Sequence, residues 1–426
     1  MEVRNWGGNV EFAPGRIERP KTTDDVIAII KSAREQKRKV RAIGSGHSFS
    51  PLIVTHDVLV DLSDMSGLIK TESETATFAA GTPVSRATEL LWHEGLALAN
   101  QGDINHQTLA GAVSTGTHGT GLAFGSLSSF VRELEFVDGQ GRVQVTTPEN
   151  LHAAQVSLGS FGLITRVKLQ CRPRFILRDL RSSVPFDTAL SEFSNWAKQH
   201  RHLEFFWFPW SKHVQLKALD EVTAENPRSK FSKVVGDEIL ERWLFQGICD
   251  LTKLVPALSP TVSRLCGKLM PDSDHAEWSW RVYPSSREVR FTEMEYSVPL
   301  AAGPACFRAI ANMIMRKKLH VFFPLEYRVA DADAAWISPF HNRVSAIISL
   351  HVYARVDEAR YFREAEAIFR DFEGRPHWGK IHTPAPEIIP KSWPKWGDFD
   401  KMRRQFDPDG LFTNELIGAW FGDGER

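Results

Sequence analysis

Residues 40–52 read VRAIGSGHSFSPL: a short apolar run enters a loop of glycine and serine that holds a single histidine, His47. Glycine allows main-chain N–H groups to approach a partner closely, and an imidazole in such a loop can react with that partner. The competing reading is a turn whose histidine points into solvent. The neighbouring sequence gives this loop a setting. TTDDVIAIIKSAREQK, 22–37, places Val26, Ile29, Ile30 and Ala33 on one face behind capping Thr and Asp, which predicts an amphipathic helix. KVRAI, 39–43, and HDVLVDL, 56–62, read as strands on either side of the loop.

The same grammar continues downstream. TATFAAG, 75–81, reads as a strand, and TPVSRATELLWHEG, 82–95, as a helix with Thr82 as cap, Pro83 at the first position and Gly95 at the end. FVRELEFVDGQGRVQVTT, 130–147, alternates around Asp138-Gly139-Gln140-Gly141 and predicts a hairpin. Thr147-Pro148 opens a short helix, and residues 162–175 read as a strand leaving this region.

Three glycine-rich elements punctuate the first 175 residues: IGSGHS at 43–48, AGAVSTGTHGTG at 110–121 and SLGSFG at 157–162. Together, with their hydroxyls, they suggest amides lining a long ligand with a pyrophosphate; singly, each reads equally as a tight turn. None has the spacing of a dinucleotide-fold or P-loop motif.

Near residue 176 glycine thins out and the character changes. Aromatic clusters such as FFWFPW, 205–210, precede a charged helical tract from about 228 to 280. REVRFTEMEYSV, HVFFPLEYRV and SAIISLHVYARV then read as long strands, with GPACFRAIANMIMRKK and DEARYFREAEAIFRDF as helices between them. The expected fold is α+β. It has a first domain over 1–175, a second, antiparallel sheet with helices on one face over 176–375, and a closing segment over 376–426.

Composition narrows the function. Of 426 residues, 42 % are apolar and 24 % charged, and 52 basic residues balance 52 acidic ones, so nucleic acid or anionic membrane would need a local patch to bind. The four cysteines form no CxxC pair and no metal-ligand spacing, so no metal is expected. No apolar run has signal-peptide or membrane-spanning length, which gives the expectation of a cytoplasmic or peripherally attached protein.

The segments VRAIGSGHSFSPL (40–52), NQGDINHQTLAGAVSTGTHGTG (100–121) and VSLGSFGLITRV (156–167) resemble the flavin-binding segments of the vanillyl-alcohol-oxidase type of FAD enzyme. GRPHWGKIH, 374–382, and FDPDGLFTNEL, 406–416, are similar to the carboxyl-terminal signature of its sugar-1,4-lactone oxidases and dehydrogenases, to which alditol oxidases are related. The resemblance implies an FAD domain of two small α/β subdomains, a cap domain whose sheet roofs the flavin ring, and a final segment that returns to it.

It also implies roles. His47 matches the position bonded covalently to FAD. Gly44, Ser45, Gly46, Ser48, Thr108, Gly111, Ser114, Thr115, Thr117, His118, Gly119, Gly162, Ile164 and Lys380 match the cofactor's surroundings. Glu326 and Arg328, two apart on one strand face, match an E-x-R motif that contacts substrate hydroxyls; His351 and Lys380 match catalytic positions beside them. From the residues alone, each of these side chains also reads as an ordinary surface or core group.

The implied reaction is hydride transfer from a hydroxyl-bearing carbon of a sugar lactone to flavin nitrogen-5, with oxygen or another acceptor taking the electrons. A polyol substrate and a non-catalytic flavoprotein are the alternatives. One departure stands out: many relatives carry an aspartate after the arginine of SPFHNRV, where this chain has Arg343 then Val344.

Overall fold

The computed structural model describes residues 2–223, 246–284, 289–354, 356–383 and 385–422. The first helix, Thr23–Glu35, begins at a capping box: the Thr22 hydroxyl accepts from the Asp25 amide while the Asp25 carboxylate accepts from the Thr22 amide. Its buried Val26, Ile30 and Ala33 share a core with Val40, Val58 and Val60. Those valines belong to a parallel three-stranded sheet in the order Arg16–Glu18, Val58–Asp61, Val40–Ile43.

Beside it lies an antiparallel five-stranded sheet, ordered Val143–Val145, Val131–Val137, Leu163–Gln170, Thr75–Ala79, Leu68–Glu72. The expected hairpin joins its first two strands, with the Asp138 carboxylate accepting from the Gln140 and Arg142 amides. Helix starts in this region differ from expectation. Pro83 is extended and Val84–His93 follows it, because the Thr82 hydroxyl is engaged with Gly67 and the Ala79 carbonyl instead of capping. Likewise the short helix after Thr147-Pro148 forms only at Leu151–Ala154.

Arg41 ties this region together. Its buried guanidinium donates to the carbonyls of Leu52 (2.8 Å), Leu158 (2.8 Å), Gly159 (3.1 Å) and Phe412 (2.6 Å), which belong to three separate stretches of chain. Burial pushes its pKa down to about 10, with Asp407 partly opposing. Arg41→Met would strand four carbonyls, each costing about 1–3 kcal/mol when buried and unpaired. Urea denaturation should therefore register a loss of at least ~3 kcal/mol; a loss under ~1 kcal/mol would show that the loops hold without it.

From Ile176 the chain enters an eight-stranded antiparallel sheet, ordered Ser273–Trp278, Ile176–Pro185, His213–Val222, His202–Trp207, Leu325–Ala330, Ser345–Tyr353, Phe291–Pro299, Arg375–Pro376. Its two faces differ by the period of two. Met294, Tyr296, Val298, Tyr327, Val329, Ile348 and Leu350 point to one side, where helices Phe186–Trp196, Gly303–Arg316 and Ala359–Asp371 cover them. Glu293, Glu295, Ser297, Glu326, Arg328, Ser349 and His351 occupy the alternate positions, and all are buried.

The helical tract expected over 228–280 is divided. Its first part, 228–245, lies outside the described residues; Ser259–Leu269 is helical; and Ser273–Trp278 is an edge strand, paired with Ile176–Arg181 and fastened by Arg178 to Asp274. The carboxyl-terminal stretch packs Trp378, Trp393, Phe399, Phe406 and Trp420 into the core of the two smaller sheets.

Candidate active site

The quoted loop is held from both sides. The Asn5 side-chain amide donates to the Ser48 carbonyl and that of Asn9 to the Phe49 carbonyl; the Trp6 amide donates to the Gly46 carbonyl. On the other side the Phe49 amide donates to the Gly379 carbonyl (2.7 Å) and the Ser50 hydroxyl to the Trp378 carbonyl (2.5 Å), so the histidine loop is bonded directly to HWGK. Two glycines have local reasons. Gly46 lies in the left-handed region at φ +67°, and a Cβ on Gly44 would sit 2.4 Å from the Thr108 hydroxyl.

The loop lines a cleft. Among the expected cofactor residues, Gly44, Ser45, Gly46, His47, Ser48, Thr108, Gly111, Ser114, Thr115, Gly162 and Ile164 line it, joined by Arg41, Gln107 and Gly159. Thr108 caps the helix Leu109–Thr115, accepting from the Gly111 amide. Among the described residues the amides of Ser45, Gly46, His47 and Ser48 have no protein acceptor. Four unpaired donors on a polar loop suit an anionic group such as a pyrophosphate.

His47 stacks between Trp6 (centroids 5.5 Å) and His106 (6.0 Å), and its buried Nδ1 has no partner among the described residues. Burial, aided by His106 and Lys380, pushes its pKa down to about 4, so the ring is neutral and carries a lone pair at pH 7.

A second cavity adjoins the first at Gln107. All four expected catalytic residues line it: Glu326, Arg328, His351 and Lys380. Thr117 and His118 line this cavity and not the cleft, while Gly119 lines neither and packs against Asn100 and Gln101. Lys380 is likewise absent from the cleft lining.

Two glutamates that sequence reading passed over organise the group. Glu293 pairs with the Lys380 ammonium (2.5 Å) and lies 3.5 Å from His351 Nε2. Glu295 pairs with Arg328 (2.9 Å) and with His118 Nε2 (2.8 Å), and accepts from the Ser349 hydroxyl (2.6 Å). Arg328 also pairs with Glu326 at 2.9 Å. Burial works against both carboxylates, yet Lys380 and His351 hold Glu293, and His118 and Arg328 hold Glu295, well below the usual carboxylate range. Burial likewise opposes the Arg328 charge and is outweighed by Glu326 and Glu295, so the guanidinium stays ionised. The signal for both glutamates was present in FTEMEYSVP, where they alternate with Met294 and Tyr296.

His118, Glu295 and His377 come close enough to suggest a metal site. Their hydrogen bonds argue otherwise: His377 Nδ1 accepts from the Gly379 amide (3.0 Å), leaving the ring proton on Nε2, and His118 Nε2 is taken by Glu295. The SPFHNRV arginine also stands apart. Arg343 donates to the carbonyls of Ser297 and Glu373 and lines neither cavity, so Val344 alters a surface loop.

The D-arabinono-1,4-lactone oxidase family model matches residues 167–420, the part that builds the large sheet and carries Glu326, Arg328, His351 and Lys380 of the second cavity. The chain belongs to that family. An FAD-binding domain matches residues 14–147, which carry the histidine loop, so the protein is a flavin-dependent oxidoreductase with FAD as its cofactor. It is 32 % identical over 424 residues to the L-gulono-1,4-lactone dehydrogenase of Mycobacterium tuberculosis, covering 98 % of each chain. It is 25 % identical over 436 residues to the L-gulonolactone oxidase of Bos taurus, covering 99 % of this chain and 98 % of that one. A solvent-stable cholesterol oxidase shares the fold, with a TM-score of 0.81 at 19 % identity over 99 % of this chain and 97 % of the other. No described helix is long and apolar enough to cross a membrane.

Proposed function

We propose that this chain oxidises a sugar 1,4-lactone of the gulono, galactono or arabinono type at a ring hydroxyl, giving an ascorbate-type product. The observation that carries this is the pairing of Arg328 and Lys380 with Glu326, Glu295 and Glu293 in one buried cavity beside the histidine cleft. The free amides of the loop, with Thr108, Ser114 and Thr115, would hold FAD in the cleft, and the bound flavin would supply the hydride acceptor. Glu326 orients the substrate hydroxyls, and Arg328 and Lys380 polarise the reacting oxygen. His351 Nδ1 faces the Pro324 carbonyl at 3.0 Å, which directs Nε2 toward the cavity and Glu293. Nε2 takes the hydroxyl proton, and the Glu293 carboxylate stabilises the imidazolium that results.

Anaerobic addition of L-gulono-1,4-lactone, L-galactono-1,4-lactone or D-arabinono-1,4-lactone should bleach the flavin. Bleaching by xylitol and by none of the lactones would transfer the reading to terminal oxidation of a polyol, and bleaching by neither would remove both. The domain division at 1–175, 176–375 and 376–426 belongs to the same proposal: the first segment holds the cofactor, the second caps it, and the third delivers Lys380. Oxygen or another acceptor reoxidises the enzyme, and stopped-flow mixing with air or with a dye separates the two.

His47 would bond covalently to FAD in this proposal through its neutral imidazole, whose Nδ1 is unpaired among the described residues; the C–H bond replaced would give up its proton, and its two electrons would pass to the flavin and on to the acceptor that reoxidises the enzyme. Acid precipitation of the holoenzyme should leave the yellow colour with the protein, whereas His47→Ala should release all of it. With a ring pKa near 4, the neutral form dominates at every pH above that value. Attachment of FAD to apoprotein should therefore proceed at a constant rate from about pH 8 down to about pH 5.5, where an unshifted histidine, with a pKa of about 6.5, would already slow. A rate falling through pH 6.5 would mean that the shift plays no part.

A further inference from the structure

The helix Ser259–Leu269 is turned inside out. Its buried positions are Ser259, Ser263 and Gly267, spaced by four, and a Cβ on Gly267 would lie 2.2 Å from the Ser211 hydroxyl, so the small face is seated tightly on the protein. Leu265 and Leu269, which a helix of this kind ordinarily buries, point outward, and Leu269 is 67 % exposed. The preceding segment, helical over 246–254 and followed by the single turn Pro256–Leu258, continues the pattern with Leu251, Leu254, Val255 and Leu258, of which Leu254 is 79 % exposed. Among the described residues no other stretch of similar length exposes as many large apolar side chains.

The charge of the same stretch is one-sided. Lys253, Arg264 and Lys268 are exposed between the leucines, residues 251–271 contain no aspartate or glutamate, and the flanking carboxylates are engaged elsewhere, Asp250 with Tyr353 and Gln246 and Asp272 with the Ser183 amide. The chain as a whole is neutral, so this is the local basic patch that composition alone could not reveal. Exposed leucines interleaved with cations, with no anion among them, suit the headgroup and acyl boundary of an anionic lipid surface: apolar groups enter while lysine and arginine reach the headgroups. Self-association about a two-fold axis suits the patch less, because it would bring these cations against the same cations of a second copy with no carboxylate from 251–271 to pair them.

We propose that the segment 251–269 is a peripheral membrane-docking surface selective for anionic lipid, separate from the cofactor cleft and the second cavity. Neither Leu254 nor Leu269 lines either cavity, so docking can be removed without touching the chemistry.

The test is sedimentation of the full-length holoenzyme with vesicles of phosphatidylcholine alone and of phosphatidylcholine containing about 30 % phosphatidylglycerol. The holoenzyme should pellet with the anionic vesicles, less with the neutral ones, and less at high salt. Leu254→Glu with Leu269→Glu should lower binding about tenfold or more while flavin content and lactone bleaching stay at the parent level. If that variant loses its flavin, Lys253→Gln with Lys268→Gln should remove the preference for anionic vesicles instead. The proposal is overturned if the parent pellets with neither vesicle, or if the glutamate variant binds as the parent does. It is also overturned if the patch proves to be a dimer contact: a parent dimer, in sedimentation velocity, that the glutamate variant dissolves and no vesicle binds. Absence of lactone oxidation with vesicle binding intact would count against the proposed function alone.

Discussion

Arg328→Met is expected to lower kcat/KM for the lactone by about a thousandfold, the equivalent of ~4 kcal/mol. The guanidinium is the common partner of Glu295, Glu326 and Ser349 in a buried site, so its loss removes the one cation that Glu295 and Glu326 share and leaves Glu295 to His118 and Ser349. Breaking a buried pair from one side costs about 3–5 kcal/mol, because the remaining charge is neither solvated nor neutralised. The thermal midpoint should fall as well, and one of the carboxylates should take up a proton. Arg328→Lys separates the two effects: its charge restores folding, but one ammonium on a shorter reach cannot serve three partners, so turnover stays well below the parent. Equal turnover in the lysine variant and the parent would show that charge alone is required.

Lys380→Met is the second large effect, again about a thousandfold in kcat/KM. The ammonium lies 2.5 Å from Glu293 and is the only cation that Glu293 contacts among the ion pairs of the described residues, His351 aside. The single variant therefore strands a buried carboxylate, whereas Lys380→Met combined with Glu293→Gln strands nothing. The double variant should recover much of the lost stability and none of the turnover, with a coupling of about 2–4 kcal/mol in the stability cycle. Additive stabilities would mean that the pair is not formed in solution.

The pH dependence of that coupling has a definite sign. Glu293 is held below its ordinary value of 4.5, so the folded protein binds fewer protons than the unfolded one as the medium is acidified. Its contribution is complete above about pH 4.5 and is lost as the pH falls toward the depressed folded value. Glu293→Gln should flatten the acid limb of the stability curve, and an unchanged limb would place the sensitivity elsewhere.

Much of this site was legible as sequence. The capping box at Thr22 and Asp25, the Asp138 hairpin, the alternation of Glu326 with Arg328 and the setting of His47 are short-range features whose physics lies within a few residues. Thr82 marks where such reasoning fails locally. As a cap it was plausible, but Gly67, fifteen residues upstream, claimed its hydroxyl.

Glu293 and Glu295 mark a deeper limit. Alternating glutamates opposite Met294 and Tyr296 describe a strand with one wet face, and nothing within FTEMEYSVP says that the charged face is interior. That follows only when the sheet brings this face against His118 from the first sheet region and Lys380 from the closing segment, supplying partners 177 and 87 residues away. The helix Ser259–Leu269 is the converse case: its leucines predict a buried face, and the close seat of Gly267 on Ser211 turns them outward.

Most elements, the glycine loops, the family and the residues that bear charge or an imidazole can be read along the chain. Which charges face each other and which apolar groups face water is settled by packing. Local conformation depends on neighbours in the chain, while burial and ion pairing depend on neighbours in space.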